Sequence, residues 1–89
     1  MLKITENLDD GKTIRIRLDG TLSETSFSEL KRVCSHHGAD AEKIILLDMG
    51  GVLFMNNEVA SRIVRLRSKQ LRIINCSPFI ETLLNTVAA

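Results

Sequence analysis

Cys34 and His37 are the side chains whose types and spacing come closest to those of a metal or nucleophile site. They lie three residues apart in the run CSHH at residues 34–37, so on a helix they would share one face. Zinc needs more ligands than these, and none is evident nearby in the sequence. The alternative is a Cys nucleophile with His as its base. It requires the two side chains to lie close together in the fold, which their spacing in the sequence does not establish. The pattern favours a buried cysteine beside a histidine that suits the end of a helix.

Three carboxylates, Asp19, Asp48 and Glu58, stand near the predicted ends of strands or in loops. Nothing in their spacing pairs two of them as general acid and base. The pair Gly50-Gly51 does not open a phosphate-binding loop, because the Lys-Ser/Thr that would follow is missing. We therefore expect no catalytic residue, no metal ion and no cofactor.

The polar residues Asn56, Asn57 and Glu58 stand where an apolar run gives way to helical spacing. The two asparagines predict a helix N-cap, and a glutamate in the first turn is favourable to the helix dipole. Residues 44–67 thus predict a strand, a loop and a helix, the part of an α/β sheet where ligands and partners usually dock. We expect any working site to lie near residues 56–58.

A basic cluster follows on the second helix and the next strand. Its members are Arg62, Arg65, Arg67, Lys69 and Arg72. The spacing i, i+3, i+7 would place Arg62, Arg65 and Lys69 on one helical face. A solvated helix face is one interpretation, and a surface for an acidic protein or an anionic nucleotide is the other, because arginine suits such surfaces.

Composition narrows the classes of protein to consider. The 89 residues, 44% of them hydrophobic, predict a single domain over residues 1–89. A net charge of +1 and three aromatic residues, all Phe, argue against a dedicated nucleic-acid binder.

The start has no apolar signal region, and no apolar run approaches the ~18 residues that would insert into a membrane. We expect a cytoplasmic protein with reduced cysteines.

Hydrophobic periodicity predicts the element order β-β-α-β-α-β-α. A strand over residues 1–8, at a sheet edge, and a second over residues 13–19 form a hairpin around an Asp-Gly turn. Ser23 or Ser26 is expected to cap the start of the first helix, and Ser26 with Glu29 fits a capping box. Gly38 is suited to be the C-cap of this helix.

The second half of the chain continues this alternation. The third strand starts at residue 44, ends at Asp48 and is followed by a break at Gly50-Gly51. A fourth strand covers residues 71–75. Ser77-Pro78 starts the last helix, whose apolar stripe is Phe79, Ile80, Leu83, Leu84 and Val87.

These elements predict an α/β fold with a mixed four-stranded sheet. Right-handed crossovers make the strands parallel after the first hairpin. Arg15, Arg17 and Arg72 fall on the faces of their strands that point away from the core. The helices are therefore expected to lie mainly on one face of the sheet.

The order and spacing of four segments resemble those of a STAS domain, the family of bacterial anti-sigma factor antagonists and of the cytoplasmic tails of sulfate transporters. The segments are IRLDGTL at residues 16–22, ILLDM at 45–49, GVLFMNNE at 51–58 and NCSP at 75–78. Together they span nearly the whole chain. The resemblance implies the STAS fold and a non-enzymatic role in protein binding.

In the antagonists, the second helix begins with a motif similar to Asp-Ser-Ser-Gly, whose first serine is phosphorylated by a kinase that is also the anti-sigma factor. The added charge releases the partner. Here Asn56 and Asn57 stand at the aspartate and first-serine positions, and Glu58 and Val59 follow. The resemblance therefore implies that the switch is lost. Glu58 either imitates the modified state or simply stabilises the first turn, and Ser61, the nearest remaining hydroxyl, is not expected to replace the switch.

The resemblance implies an anti-sigma factor antagonist homologue, or a regulatory adaptor in bacterial transcription and signal transduction. Its partner would be a kinase-like anti-sigma factor. One alternative is the cytoplasmic STAS subunit of a phospholipid-transport ABC complex, which binds an ATPase subunit, and another is a small thiol-dependent enzyme using Cys34 and His37. An exposed sheet edge also allows a homodimer. The expected partner-binding residues are Met55, Asn56, Asn57, Glu58, Ser61, Arg62 and Arg65.

Overall fold

The computed structural model describes residues 1–88 and has the predicted element order. The elements are β1 (Leu2–Leu8), β2 (Thr13–Leu22), α1 (Glu24–Gly38), β3 (Ile44–Met55), α2 (Asn57–Leu66), β4 (Leu71–Ile74) and α3 (Pro78–Ala88). None of the described helices is long and apolar enough to cross a membrane.

The four strands form one mixed sheet in the order β1-β2-β3-β4, which confirms the predicted α/β architecture. β1 pairs antiparallel with β2, and β3 is parallel to both β2 and β4. The Asp10 carboxylate closes the hairpin by accepting hydrogen bonds from the N–H groups of Lys12 (2.7 Å) and Thr13 (2.8 Å). These bonds lower the pKa of Asp10 below its usual value.

One hydrophobic core joins the sheet to all three helices. Ile14, Ile16 and Leu18 of β2 are buried, and they share a single cluster with Leu30 of α1, Ile63 of α2 and Ile80 of α3. The alternating residues of β2, Arg15 and Arg17, point to the other face, as the period of two requires. The prediction that the helices lie on one face of the sheet is confirmed, and the opposite face is called the open face below.

β3 is longer than predicted, because it continues through Gly50-Gly51 to Met55. The predicted end at Asp48 was wrong, and so was the end of β2, which runs on beside β3 to Leu22. Two shifts of register mark bulges in this pairing, and the second leaves Leu53 without a partner between Val52 and Phe54. A Cβ at position 51 would lie 1.9 Å from Asp19 Oδ1, so glycine here permits a close approach rather than ending the strand.

The ends of α1 also differ from the expectation. Ser23 is the N-cap, and its hydroxyl accepts from the Ser26 N–H at 3.2 Å, so the predicted capping box of Ser26 with Glu29 is wrong. Gly38 is the last helical residue rather than the C-cap. The cap is Ala39, which keeps a right-handed conformation with φ −62°, so no left-handed glycine is needed.

Asp48 is a buried carboxylate on the open face, 3% exposed. Its Oδ2 lies 3.5 Å from Arg15 Nη1 and 3.7 Å from Arg17 Nη1, and its Oδ1 accepts from the Gly50 N–H at 2.9 Å. Burial pushes the pKa of Asp48 upwards. The Gly50 N–H, the Asn75 side chain and the two guanidinium groups outweigh that effect, so the pKa of Asp48 lies below its ordinary value of 3.8.

Replacing Asp48 by asparagine is expected to lower the free energy of unfolding by about 1–3 kcal/mol at pH 7, because a charged acceptor is lost from a buried site. A depressed folded-state pKa stabilises the fold above the unfolded pKa, and that contribution disappears as the pH falls through the folded value. Urea unfolding of the wild type and Asp48→Asn, from pH 7 down to about 3, should therefore show a shrinking difference.

Asp9→Asn is the matched control, because Asp9 contacts the same Arg15, at 3.2 Å, from a more exposed position. It is expected to change stability little at any of these pH values. Equal unfolding free energies for Asp48→Asn and the wild type at pH 7 would show that the buried carboxylate does not stabilise the pairing of β2 with β3.

Candidate functional site

The start of α2 carries the polar residues that the sequence singled out. Asn56 is the N-cap, with extended backbone (φ −85°, ψ 173°), and its Oδ1 accepts from the Val59 N–H at 2.8 Å. The predicted N-cap is confirmed at Asn56. Asn57 is the first helical residue, and its side chain is exposed. One asparagine thus stabilises the helix, and the next is free to contact a partner.

Glu58 is held by an ion pair rather than standing alone. Arg62 Nη2 donates to Glu58 Oε1 at 2.9 Å, one turn along the helix, and both side chains are exposed by more than a third. The pair is therefore a surface contact of small energy. Its effect on the site is to balance the charge of Glu58 with that of Arg62.

The remaining predicted docking residues separate into surface and core. Arg65 is exposed and Ser61 is half-buried, so both border the surface of α2. Met55, by contrast, is 1% exposed and belongs to the core. It pairs with the buried Leu22 after the second bulge, so its side chain faces the core and is not accessible at the surface of α2.

Three apolar residues are exposed, two at the end of β3 and one in the first turn of α3. Leu53 is 76% exposed, Phe54 53% and Phe79 54%. The rings of Phe54 and Phe79 stack with their centroids 6.5 Å apart and their planes 18° apart. We call Phe54 and Phe79 the aromatic patch, and Leu53 precedes Phe54 in β3. Exposed clusters of this kind on a small protein mark interaction sites.

Sequence reasoning missed the aromatic patch. It placed Phe54 in an apolar segment and Phe79 in the apolar stripe of the last helix, whereas both are exposed at the surface. One signal was present in the run Val52-Leu53-Phe54-Met55. Because side chains in a strand alternate between two faces, four consecutive apolar residues cannot all enter one core.

The predicted basic cluster does not form one surface. α2 ends at Leu66, so Lys69 is outside the helix and does not share a face with Arg62 and Arg65. Arg72 pairs with Leu46, whose side chain lies on the open face, so it lies on the far side of the sheet. Arg67 borders a different cleft, with Asn75 and Glu81. Of the predicted cluster, Arg62 and Arg65 lie together, at a cleft between α1 and α2.

Cys34 and His37 lack the geometry of a reactive pair. Cys34 is buried in the core, and burial, with a smaller contribution from the charge of Glu6, raises the pKa of its thiol to about 11. His37 Nε2 instead contacts Glu6 Oε1 on β1. Within residues 1–88, no group of three or more His, Cys, Asp or Glu residues could hold a metal ion.

No protein-family model matches the chain, and no curated protein matches its sequence. The structure defines the class of the protein: an α/β domain with a four-stranded mixed sheet and three helices. Its candidate site combines the exposed start of α2 with the aromatic patch.

The Cys34 thiol is expected to react slowly at neutral pH. With a pKa of about 11, about one molecule in ten thousand carries the thiolate at pH 7, and burial limits access further. In a Cys76→Ser variant, labelling of the remaining thiol by a thiol reagent should be at least about a hundredfold slower than in urea.

A Cys34→Ala variant serves as the control, because its remaining thiol at Cys76 is half-buried and should label faster in the folded protein. Rapid labelling of folded Cys76→Ser at neutral pH would contradict the burial of Cys34 and would support a nucleophile at this position.

Proposed function

We propose that the protein is a non-enzymatic STAS-like module that binds another protein through the start of α2. In this proposal it is an anti-sigma factor antagonist homologue or a related regulatory adaptor of the bacterial cytoplasm. The docking surface comprises Asn57, Glu58, Ser61, Arg62 and Arg65, together with the aromatic patch. Asn56 contributes as the N-cap that holds the helix in place.

The exposure of two of the three aromatic residues carries this proposal. Only Phe27 is buried, while Phe54 and Phe79 stack on each other at the surface. Exposed phenylalanine costs solubility and adds nothing to the core, and aromatic residues are enriched in the buried centres of protein interfaces. The polar start of α2 beside them supplies the rim that such a centre needs.

The proposal includes the loss of the usual phosphorylation switch. Asn57 stands at the exposed first position of α2, where the resemblance places the regulated serine, and an amide cannot accept a phosphoryl group by the same chemistry. Ser61 is half-buried one turn further on, which limits access by a kinase. Binding would then be set by partner concentration rather than by modification at this helix.

The chemistry of Cys34 favours binding over catalysis as the role of the protein. A nucleophilic thiol needs a lowered pKa and an accessible position. Cys34 has a raised pKa and is buried, and His37 is engaged with Glu6. These observations weigh against the alternative of a thiol-dependent enzyme.

The direct test is capture of partners from the source cell by the tagged wild type, Phe54→Ser and Asn57→Asp. The wild type should retain one or a few specific proteins, which Phe54→Ser should lose because the centre of the interface becomes polar. Asn57→Asp should retain less, since it adds negative charge at the position of the regulated serine.

Leu8→Ser is the matched control, because Leu8 is also an exposed apolar residue (64%) but lies at the end of β1, which pairs only with β2. Capture of the same proteins by all four forms would reject the docking surface. A kinase-like anti-sigma factor among the specific proteins would support the antagonist, and a transporter ATPase would support the ABC-complex alternative.

A further inference from the structure

A cleft of about 340 Å³ lies between α1 and α2. Its size is at the small end of the roughly 300–1,000 Å³ of typical ligand sites. Phe27, which is buried, and Leu66, which is half-buried, form an apolar floor. The other lining residues are Ser28, Lys31, Arg62 and Arg65. The cleft therefore combines an apolar base with three cationic side chains, and among residues 1–88 no carboxylate lines it.

Most of this positive charge is available to a ligand. Lys31 and Arg65 form no ion pair with any residue from 1 to 88. Arg62 is held by Glu58 and lies with its Cζ 6.0 Å from the centroid of the Phe27 ring, a cation–π distance. The guanidinium thus lies above the Phe27 ring at the edge of the apolar floor.

The acidic residues near the cleft lie at one end of it. Glu24 and Glu58 are in the first turns of α1 and α2, about one turn before the residues that line the cleft. Because both helices connect successive parallel strands, they run in the same direction and their first turns lie at the same end. The glutamates therefore lie toward the end of the cleft where both helices begin, and the basic residues lie further along it.

The spacing of the lining residues fits a helical ligand. Phe27 with Lys31, and Arg62 with Leu66, are each separated by one helical turn. A third helix can place side chains at i and i+4 into the groove between two helices. The described lining residues all belong to α1 and α2, so the cleft offers no strand edge to which an extended peptide could add.

We propose that the cleft receives an amphipathic helix of the protein partner. Aliphatic side chains at i and i+4 would cover Phe27 and Leu66, and flanking Asp or Glu residues would pair with Lys31 and Arg65. The apolar contact supplies affinity, and the charges set orientation and association rate. This inference rests on the proposed function, because it defines the chemistry of the partner that docks at α2.

The test uses a synthetic peptide of about 16 residues, long enough to form a helix, with leucines at i and i+4 and glutamates on both sides. Titrated into the full ¹⁵N-labelled chain, it should shift the amide signals of the residues that line the cleft. Its affinity should fall as NaCl rises from about 50 to 500 mM, because salt screens the charge pairs.

The double variant Lys31→Glu/Arg65→Glu should bind this peptide at least about tenfold more weakly. Arg72→Glu is the matched control: Arg72 is also an exposed arginine, but it lies on the open face, so binding should not change. Peptides with serine in place of leucine, or lysine in place of glutamate, should not bind.

Unchanged binding by the double variant, or equal binding of the serine peptide, would overturn the inference. The inference would also be overturned if inorganic pyrophosphate, but not the peptide, shifted the amide signals of the residues that line the cleft. That result would assign the cleft to phosphate ligands. If capture of partners from the source cell is lost in Phe54→Ser but unchanged in Lys31→Glu/Arg65→Glu, the cleft is not the partner site. The proposed function would then remain. If the peptide binds in the cleft and Phe54→Ser captures the same partners as the wild type, the cleft is supported as a binding site. The aromatic patch is then refuted as part of the docking surface.

Discussion

The parallel pairing of β2 with β3 is the interaction on which the rest of the structure depends. α1 connects these two strands, β4 pairs with β3, and α2 begins directly after β3. The positions of these elements therefore depend on the pairing. Two bulges in this pairing determine which residues after Asp48 face the core. Met55 is turned inwards, whereas Leu53 and Phe54 remain at the surface. The candidate site is therefore a consequence of strand register, since a shift of one residue would change which of these side chains face the core.

The two faces of the sheet have different roles in this account. On the open face, Asp48 lies between Arg15 and Arg17, which also contact Asp9 and Asp19. These ion pairs balance the charges of Arg15 and Arg17, whereas Arg72 on the same face forms no ion pair within residues 1–88. On the helix side, Lys31 and Arg65 are likewise without an ion pair among the described residues, and there they border a cleft. The cleft and the aromatic patch, rather than free charge alone, are the reasons to expect partner binding on the side of the helices.

Local patterns were sufficient to predict the element order, the hairpin, the N-cap at Asn56 and the placement of the helices on one face. They failed where the outcome depends on a distant strand. Gly50-Gly51 has the local appearance of a break, and only the approach of the Asp19 side chain shows why glycine is needed inside β3. Ser23 and Ser26 are both suitable caps by type, so sequence alone could not choose between them.

The candidate site was predicted in part for the same reason. The polar start of α2 follows from residue types within one turn, and it was found. The aromatic patch requires the β2–β3 register and the meeting of Phe54 with Phe79, which are 25 residues apart in the chain. Lys31 likewise joins Arg62 and Arg65 only through the packing of α1 beside α2. Contacts between residues so far apart in the chain cannot be predicted from the hydrophobic periodicity of single elements.

The central claim is that the start of α2 and the aromatic patch form the surface that binds a partner. Site-specific photo-crosslinking in the source cell tests it most directly, with a photoreactive phenylalanine analogue placed at position 54 or, for comparison, at position 72 on the open face. The account predicts one or a few specific crosslinked proteins from position 54 and none from position 72. A specific product from position 72, with none from position 54, would contradict it.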